Sequence, residues 1–280
     1  MARIVGGIGV SHAPSIAATY DRGATEEPQW EPLFSGFAEA QRWVESLAPD
    51  ALVVIYNDHV DQFSFRAWPT FALGLADQYE IADEGFGQRP LPPVPGHPEL
   101  SWHIARSLVA DEFDITLCQE MVVDHGVLSP LPLLNLKDRW AARIVPFATN
   151  VVLHPLPTPR RCWNLGLALG RAIESYPGPE RVIVVGTGGL SHQLTGPRFG
   201  DVKPEWDQRF MELLEHEPEQ LLSYTHEDLM ALGGSESVEV VNWMAMRAAL
   251  PAGARREVRT YYPHLIMGYG LIAFGVDQAA

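Results

Sequence analysis

Four of the ten histidines follow short apolar runs and come just before a predicted loop. They are His12, His59, His125 and His192. Runs of this kind are typical of buried strands in a parallel sheet, and ligands of open α/β sheets bind outside the carboxyl ends of the strands. Imidazoles from several strands can therefore converge on one point. Because neutral imidazole is a common metal ligand and a general base near neutral pH, the pattern predicts a metal or acid–base centre.

Polar neighbours favour a functional site at two of these histidines, although each pattern also has an explanation that needs no site. Asn57 and Asp58 precede His59 at the end of an apolar run, but Asn and Asp are also common turn formers. Asp124 precedes His125, yet neighbours in sequence need not touch, so the pair alone does not define a catalytic dyad.

The segment Gly186–Gly189 comes before His192 and carries three glycines. It lacks the lysine and the spacing of a phosphate-binding loop. A sharp bend of the backbone that presents His192 explains these glycines better. The other six histidines have weaker contexts; among them, His154 and His264 adjoin prolines and aromatic residues and are candidates to line a pocket.

Glu239 is a carboxylate among apolar residues, since Val238, Val240 and Val241 surround it in the sequence. A buried carboxylate needs a partner. Two neutral histidines and one carboxylate form the ligand set of non-haem iron(II) oxygenases, which leaves positions open for substrate and oxygen. The same three ligands also form a catalytic zinc set.

The composition predicts a globular protein with a hydrophobic core. Hydrophobic residues make up 46% and charged residues 20% of the 280 residues, which suits a well-packed fold. The net charge of −15 argues against nucleic acid or an anionic membrane as partner. Two cysteines and the lack of a signal-peptide pattern predict a cytoplasmic location. No apolar run reaches the roughly 20 residues that a membrane span needs.

Strand and helix patterns alternate along the chain. Strands are predicted at 4–10, 51–56, 115–119, 143–147 and 181–186, and helices at 33–47, 98–112, 163–175, 204–223 and 237–250. A long loop, of the kind that often carries function, is predicted at 83–90. This alternation predicts a layered α/β fold with a central, mainly parallel or mixed sheet flanked by helices. We expect residues 1–280 to form a single catalytic domain.

Several of these motifs occur in the same order in a known family. The chain resembles the class III extradiol ring-cleavage dioxygenases, the family that includes the catalytic (β) subunit of protocatechuate 4,5-dioxygenase and the gallate dioxygenases. The resemblance covers most of the chain. It is carried by Ser11-His12, Tyr56-Asn57-Asp58-His59, Ala82-Asp83-Glu84-Gly85-Phe86-Gly87, Asp124-His125-Gly126, Ser191-His192-Gln193-Leu194 and Gly234-Ser235-Glu236-Ser237-Val238-Glu239.

The resemblance implies a role for each candidate residue. His12, His59 and Glu239 fall at the positions of the Fe(II) ligands. His192 falls at the position of the catalytic base, and His125 at that of a second active-site histidine that contacts substrate or oxygen. The implied reaction is the opening of a catechol ring by O2 beside, rather than between, its two hydroxyls.

The sequence also departs from the family pattern. The segment that would hold the carboxylate of protocatechuate contains no serine–asparagine pair at Tyr261–Gly270. Gallate, 3-O-methylgallate or another substituted catechol is therefore as good a candidate substrate as protocatechuate. Relatives also carry a small helical α-type subunit that covers the site. We expect either such a lid subunit as a separate partner or a homo-oligomer.

Two other functions remain open at this point. A zinc-dependent hydrolase would use the same three ligands on the same scaffold. A non-enzymatic binding protein on this scaffold would be expected to lose some polar site residues, and this chain retains them.

Overall fold

The computed structural model describes residues 1–85 and 87–277. Its strands are β1 (Arg3–Val10), β2 (Ala51–Tyr56), β3 (Phe71–Gly74), β4 (Gln78–Ile81), β5 (Val94–Pro95), β6 (Thr116–Cys118), β7 (Val122–Val123), β8 (Arg143–Thr149), β9 (Arg181–Thr187), β10 (Arg255–His264) and β11 (Met267–Gly275). Its helices are α1 (Pro14–Asp21), α2 (Glu31–Leu47), α3 (Pro98–Ala110), α4 (His125–Leu128), α5 (Leu131–Asn135), α6 (Pro159–Glu174), α7 (Pro204–His216), α8 (His226–Gly233) and α9 (Val241–Ala249). Two 3₁₀ helices lie at Pro218–Ser223 and Ser237–Val240.

An eight-stranded mixed sheet forms the centre of the fold, in the order β10-β11-β1-β9-β2-β8-β3-β6. Its four central strands, β1, β9, β2 and β8, run parallel. β11 pairs antiparallel with β1 and β10, and β3 pairs antiparallel with β8. The predicted α/β fold with a mixed sheet is therefore confirmed.

Helices cover both faces of this sheet, which is why its central strands are apolar along most of their length. Alternate residues of β2 enter opposite layers, because successive side chains of a strand point to opposite faces. Val53 and Ile55 lie in one hydrophobic layer with α3, α6 and α9. Leu52 and Val54 lie in the other layer with α2 and α5.

Helix α9 lies unusually close to the sheet. A Cβ atom on Gly186 of β9 would come within 2.4 Å of the backbone oxygen of Asn242. A Cβ on Gly9 of β1 would come within 2.5 Å of the Trp243 ring. Glycine at these two positions therefore allows the approach of α9, and this approach fixes the segment before α9, which carries Glu239.

The predicted central strands and the main helices are present, with boundaries shifted by a few residues. Predicted helix 204–223 divides into α7 and a 3₁₀ helix, and predicted helix 237–250 begins with a 3₁₀ turn. One expectation was wrong. His125 follows β7, which belongs to a separate three-stranded sheet, β5-β4-β7, and not to the parallel sheet. The loop predicted at 83–90 includes Phe86, which lies outside the described residues.

None of the helices within residues 1–85 and 87–277 combines the length and the hydropathy needed to cross a bilayer.

Candidate metal centre and active site

The carboxyl ends of three adjacent parallel strands bring the first candidate residues together. His12 lies just beyond β1, and Asn57 and His59 lie just beyond β2. Thr187 ends β9, the strand that lies between β1 and β2. The parallel register explains this meeting point, because Val10 is opposite Thr187 and Ile55 is opposite Gly186.

The hydrogen bonds of Thr187 determine which ring nitrogen of His12 carries the lone pair. The Thr187 hydroxyl donates its only hydrogen to the Gly126 carbonyl, at 2.6 Å. It must therefore accept from His12 Nδ1–H, which lies 3.1 Å away. The lone pair of neutral His12 is then on Nε2, 3.1 Å from Oε2 of Glu239. Burial lowers the pKa of His12, against the attraction of Glu239.

His59 is oriented in the same way by a carboxylate. Its Nδ1 donates to Oδ2 of Asp124 at 2.8 Å, and its Nε2 lies 3.7 Å from Oε1 of Glu239. Burial acts to lower the pKa of His59, but Asp124 and Glu239 outweigh burial and raise the pKa to about 10. The site thus has an excess of negative charge that a proton or a metal ion would balance.

Glu239 is 7% exposed and is held by two donors. The backbone N–H of Gly189 donates to its Oε2 at 2.6 Å, and the Asn57 amide donates to its Oε1 at 3.1 Å. Burial opposes ionisation of this carboxyl group, but attraction to His12, His59 and His192 keeps its pKa well below the ordinary value. Glu239 is therefore a fixed anion beside two imidazoles.

The donor set fits a divalent cation. Nε2 of His12 and Oε2 of ionised Glu239 lie 3.1 Å apart, an arrangement that is repulsive unless a proton or a metal ion lies between them. His12, His59 and Glu239 could supply two nitrogens and a carboxylate to such an ion. His125 adds a third imidazole, since the ligand atoms of His12, His59 and His125 lie within 4.8 Å of one another.

His192 lies beside this cluster and is separate from its hydrogen bonds. Its Nδ1 donates to the Leu190 carbonyl at 2.8 Å, which leaves the lone pair of the neutral ring on Nε2. Nε2 lies 3.9 Å from Oε2 of Glu239. An imidazole in this state can accept a proton from a group bound in the cavity.

The turn that presents His192 is anchored by α7. Asp207 accepts from the backbone N–H of Ser191 at 2.7 Å and from its hydroxyl at 2.6 Å. Tyr261 also donates to Asp207, at 2.7 Å. Burial raises the pKa of Asp207, in opposition to these hydrogen bonds.

His125 stacks on His59, with ring centroids 3.8 Å apart. Its Nδ1 contacts the carboxylate of Glu84. Asp124, its sequence neighbour, contacts His59 instead, so the Asp124–His125 pair does not form a dyad. Burial opposes ionisation of Asp124, but His59 and His125 lower its pKa to about 2.

The cluster opens into a cavity of about 740 Å³. Its lining includes all five predicted site residues, His12, His59, His125, His192 and Glu239. His154 also lines this cavity, as expected. His264 stacks on Tyr262 and contacts Trp30, and it is not among the described lining residues.

Sequence reasoning missed the residues that orient the imidazoles. Thr187 and Asp124 lie 175 and 65 residues from the histidines that they hold. Glu84 lies in the long loop at 83–90 that was predicted to carry function. The loop could therefore be found from the sequence, but the contact between Glu84 and His125 could not.

The sequence matches a known enzyme family along most of its length. The model of the family described as the catalytic LigB subunit of aromatic ring-opening dioxygenase matches residues 6–272. The chain therefore belongs to this family, and the predicted membership in the extradiol dioxygenases is confirmed. The family match also confirms the prediction that the chain is of the aromatic ring-cleaving class of enzymes.

Individual relatives agree with this membership. The chain is 47% identical to gallate dioxygenase of Pseudomonas putida over 201 residues, which are 71% of this chain and 59% of the relative. The match thus spans about three fifths of that protein. A 2,3-dihydroxyphenylpropionate/2,3-dihydroxicinnamic acid 1,2-dioxygenase of Rhodococcus jostii is 29% identical, over 96% of this chain and 98% of the relative.

One solved structure shows the same fold. It is that of an uncharacterised protein of Escherichia coli K12, with a TM-score of 0.63 and 14% identity. The match covers 97% of this chain and 100% of that chain.

Proposed function

We propose that this protein opens the ring of a substituted catechol with O2 by extradiol cleavage, and that His12, His59 and Glu239 hold the iron(II) ion of the reaction. One observation carries the proposal. Nδ1 of His12 is hydrogen-bonded to Thr187, and Nδ1 of His59 to Asp124. The Nε2 atoms of these two rings lie 3.1 and 3.7 Å from the carboxylate of Glu239. Such a set leaves metal positions open for substrate and oxygen.

When bound, iron(II) would hold the catechol and O2 side by side and pass electron density between them. The protein's own part is proton transfer and orientation. His192 accepts a proton from one catechol hydroxyl at Nε2, and base catalysis of this kind contributes about 10²–10⁴-fold. His125, which Glu84 contacts at Nδ1, stabilises or protonates the oxygen-derived group.

Three further assignments belong to the same proposal. Residues 1–280 act as one catalytic domain. A small α-type lid subunit or a further copy of the chain completes the assembly. The compartment is the cytoplasm, which the two free, buried thiols of Cys118 and Cys162 support.

The test is anaerobic reconstitution of the protein with Fe(II), followed by exposure to O2 and a broad panel of catechols. We expect one O2 consumed for each ring opened, measured with an oxygen electrode and by the absorbance of the ring-opened product. The Glu239→Gln variant should bind no iron and consume no O2. Lack of O2 uptake with every catechol would overturn the proposal.

The same donor set is also a catalytic zinc set, so Zn(II)-loaded protein is the matched control. A zinc ion cannot change oxidation state, and we expect this form to consume no O2. Hydrolysis of ester or amide substrates by the zinc form alone would favour a hydrolase instead.

A further inference from the structure

The ring of His125 is held differently from the other imidazoles of the site. The acceptors that orient the other three rings are Thr187, Asp124 and Leu190, and all of them are buried. The partner of the His125 ring is Glu84, whose side chain is 21% exposed. Glu84 belongs to no helix or strand and lies in the long loop between β4 and β5. The orientation of His125 therefore depends on a loop.

Ring stacking leaves one choice open for His125. The ring lies on that of His59, with centroids 3.8 Å apart, and meets the His12 ring edge-on at 5.6 Å. These contacts fix the plane of the ring. They do not decide which ring edge faces the cavity, because a half-turn about the Cβ–Cγ bond exchanges the two edges within the same plane. A hydrogen-bond partner at a ring nitrogen has to make that choice.

Glu84 is the one residue of 1–85 and 87–277 that is hydrogen-bonded to the His125 ring. The contact is made at Nδ1, and a carboxylate can only accept, so Nδ1 carries a proton. The lone pair of the neutral ring is then on Nε2. His125 lines the main cavity, whereas Glu84 is not among its described lining residues. Nε2 is therefore the nitrogen left for a group bound in that cavity.

A second cavity, of about 410 Å³, also borders His125. Glu84 lines this second cavity, while Pro14, Ser15 and His125 line both cavities. The His125 ring thus has open space beside it rather than close-packed side chains. Packing on this side does not hold the ring against a half-turn, and the hydrogen bond to Glu84 takes over that task.

The backbone of Glu84 adopts a conformation that is uncommon for its residue type. Its φ is 52°, in the left-handed region that residues other than glycine seldom occupy. Ala48 and Glu112 also have positive φ, but they follow α2 and α3, and left-handed residues are ordinary at helix ends. Glu84 ends no helix. Such conformations persist where the surrounding structure determines them, and they cluster at functional sites.

Arg89 ties the loop that carries Glu84 to the helix that carries His125. Arg89 donates to the Asp21 carboxylate on α1 at 2.6 and 2.7 Å. It also donates to the carbonyl of Leu128, the last residue of α4, and His125 is the first residue of that helix. The loop and the imidazole therefore share an anchor, which keeps the Glu84 carboxylate within reach of Nδ1.

We infer that Glu84 is the positioning residue of His125. By accepting from Nδ1–H, it selects the ring orientation and the tautomer in which His125 turns Nε2 toward the cavity. Glu84 acts through His125 and does not itself line the main cavity. The effect on rate rests on the proposed ring-opening function, but the orientation of the ring can be measured without turnover.

Ring orientation is tested by NMR on protein that is isotope-labelled at the histidine nitrogens and loaded with Zn(II), which is diamagnetic. The His125 signals are assigned by their loss in His125→Ala. We expect a slowly exchanging proton on Nδ1 of His125 in the native protein, its retention in Glu84→Gln and its loss in Glu84→Ala. Glutamine can replace Glu84 because a single hydrogen bond is made here and an amide oxygen can accept it. Persistence of the signal in Glu84→Ala would overturn the inference.

Kinetics test the effect on the reaction, with Fe(II)-loaded protein and with gallate and 3,4-dihydroxybenzoate as substrates. We expect Glu84→Ala to lower kcat about 10–100-fold and to leave KM near the native value, since misplacement of a reacting group by about 1 Å costs up to about 10²-fold. Glu84→Gln should restore most of kcat. Gln88→Ala is the control, because Gln88 is an exposed residue of the same loop whose side chain donates to the Ile81 carbonyl at 2.9 Å.

The possible failures can be told apart. A native kcat in Glu84→Ala would overturn the inference. An equal loss of kcat in Glu84→Ala and Glu84→Gln would also overturn it, because the charge or the loop structure would then matter and not the hydrogen bond. If the native protein opened no catechol, the proposed function would fail, and the NMR result would still decide whether Glu84 sets the orientation of His125.

Discussion

Three imidazoles of the site use Nδ1 for a hydrogen bond to the protein and turn Nε2 toward the cavity, where the Asn57 amide lies 3.0 Å from Nε2 of His59. The acceptors are the Thr187 hydroxyl for His12, the Asp124 carboxylate for His59 and the Leu190 carbonyl for His192. The hydrogen bond at one nitrogen decides which nitrogen carries the lone pair. These acceptors therefore set the chemistry of the site as much as the histidines do.

Replacement of His192 by alanine should separate proton transfer from metal binding. We expect kcat to fall about 10²–10⁴-fold, because the general base is lost, while the iron content per protein, measured by elemental analysis, stays unchanged. His103→Ala is the control, since His103 lies on α3 and contacts Ser175 away from the site. Parallel loss of iron and activity in His192→Ala would argue against a base and for a ligand.

Asp124→Asn should weaken metal binding without removing a ligand. An amide nitrogen at the position of Oδ2 cannot accept from His59 Nδ1–H, so the ring would place its proton on Nε2 and lose the lone pair that faces the metal. We expect metal affinity to fall about 10–100-fold, measured by competition with a chelator. The matched control is Asp58→Asn. Asp58 is a buried neighbour whose carboxylate accepts from the backbone N–H groups of Val60, Gln62 and Phe63, and none of its described hydrogen bonds goes to a histidine ring. The Asp58→Asn variant should lower the stability of the protein but not its metal affinity. An equal loss of metal affinity in both variants would contradict the proposed role of Asp124.

At the scale of elements, the site depends on parts that come from outside the parallel strands. α7 supplies Asp207, which holds the turn that presents His192. The loop before β5 supplies Glu84, and a 3₁₀ helix supplies Glu239. The strands position His12 and His59, and these other elements position the groups that act beside them.

Asp207→Asn should lower kcat with little change in binding. An amide nitrogen at the position of Oδ2 cannot accept from Ser191 and Tyr261, so the turn that carries His192 should shift. Misplacement of a reacting group by about 1 Å costs up to about 10²-fold in rate. We expect iron content and the anaerobic Kd for a catechol to stay near those of the native protein. Asp201→Asn is the control, because Lys203 is the one residue of 1–85 and 87–277 that the Asp201 side chain contacts. A rise in Kd as large as the loss of kcat would indicate general disorder of the cavity instead.

The sequence predicted the elements whose patterns are local and strong. β2 was predicted with its observed boundaries, because every residue from Ala51 to Tyr56 is buried and apolar. The hairpin of β10 and β11 was missed, since β10 is largely polar and partly exposed. β5 and β7 have two residues each, too few for any periodicity. Four histidines and Glu239 could be found from strand ends and apolar neighbours. The acceptors Thr187 and Asp124 could not, because pairing across 175 or 65 residues depends on the topology of the sheet.

At the scale of the whole molecule, the proposed metal ion would join distant parts of the chain. Its proposed ligands lie just beyond β1, just beyond β2 and in the segment before α9. A ligand that binds only the folded state stabilises it by mass action, by about 2.7 kcal/mol at a concentration 100 times its Kd. Metal binding and global stability should therefore be coupled.

Removal of the metal should lower the melting temperature. We expect the Fe(II)-loaded protein, kept anaerobic, to lose several degrees of Tm when a chelator is added, as followed by circular dichroism. Glu239→Gln should show no dependence of Tm on metal or chelator. An unchanged Tm in the native protein would mean that the metal does not bind at a site that requires the folded chain.

The place of β1 in the sheet has a consequence for synthesis on the ribosome. β1 pairs with β9 on one side and β11 on the other, so neither partner exists when β1 is made. At 5–20 residues per second, roughly 10–40 s pass before β9 follows it. During that time the apolar strand at the start of the chain has no native neighbour, and chaperones are its natural protection. The proposed metal centre is complete only after Glu239 is made, so binding of the proposed metal would follow synthesis of most of the chain.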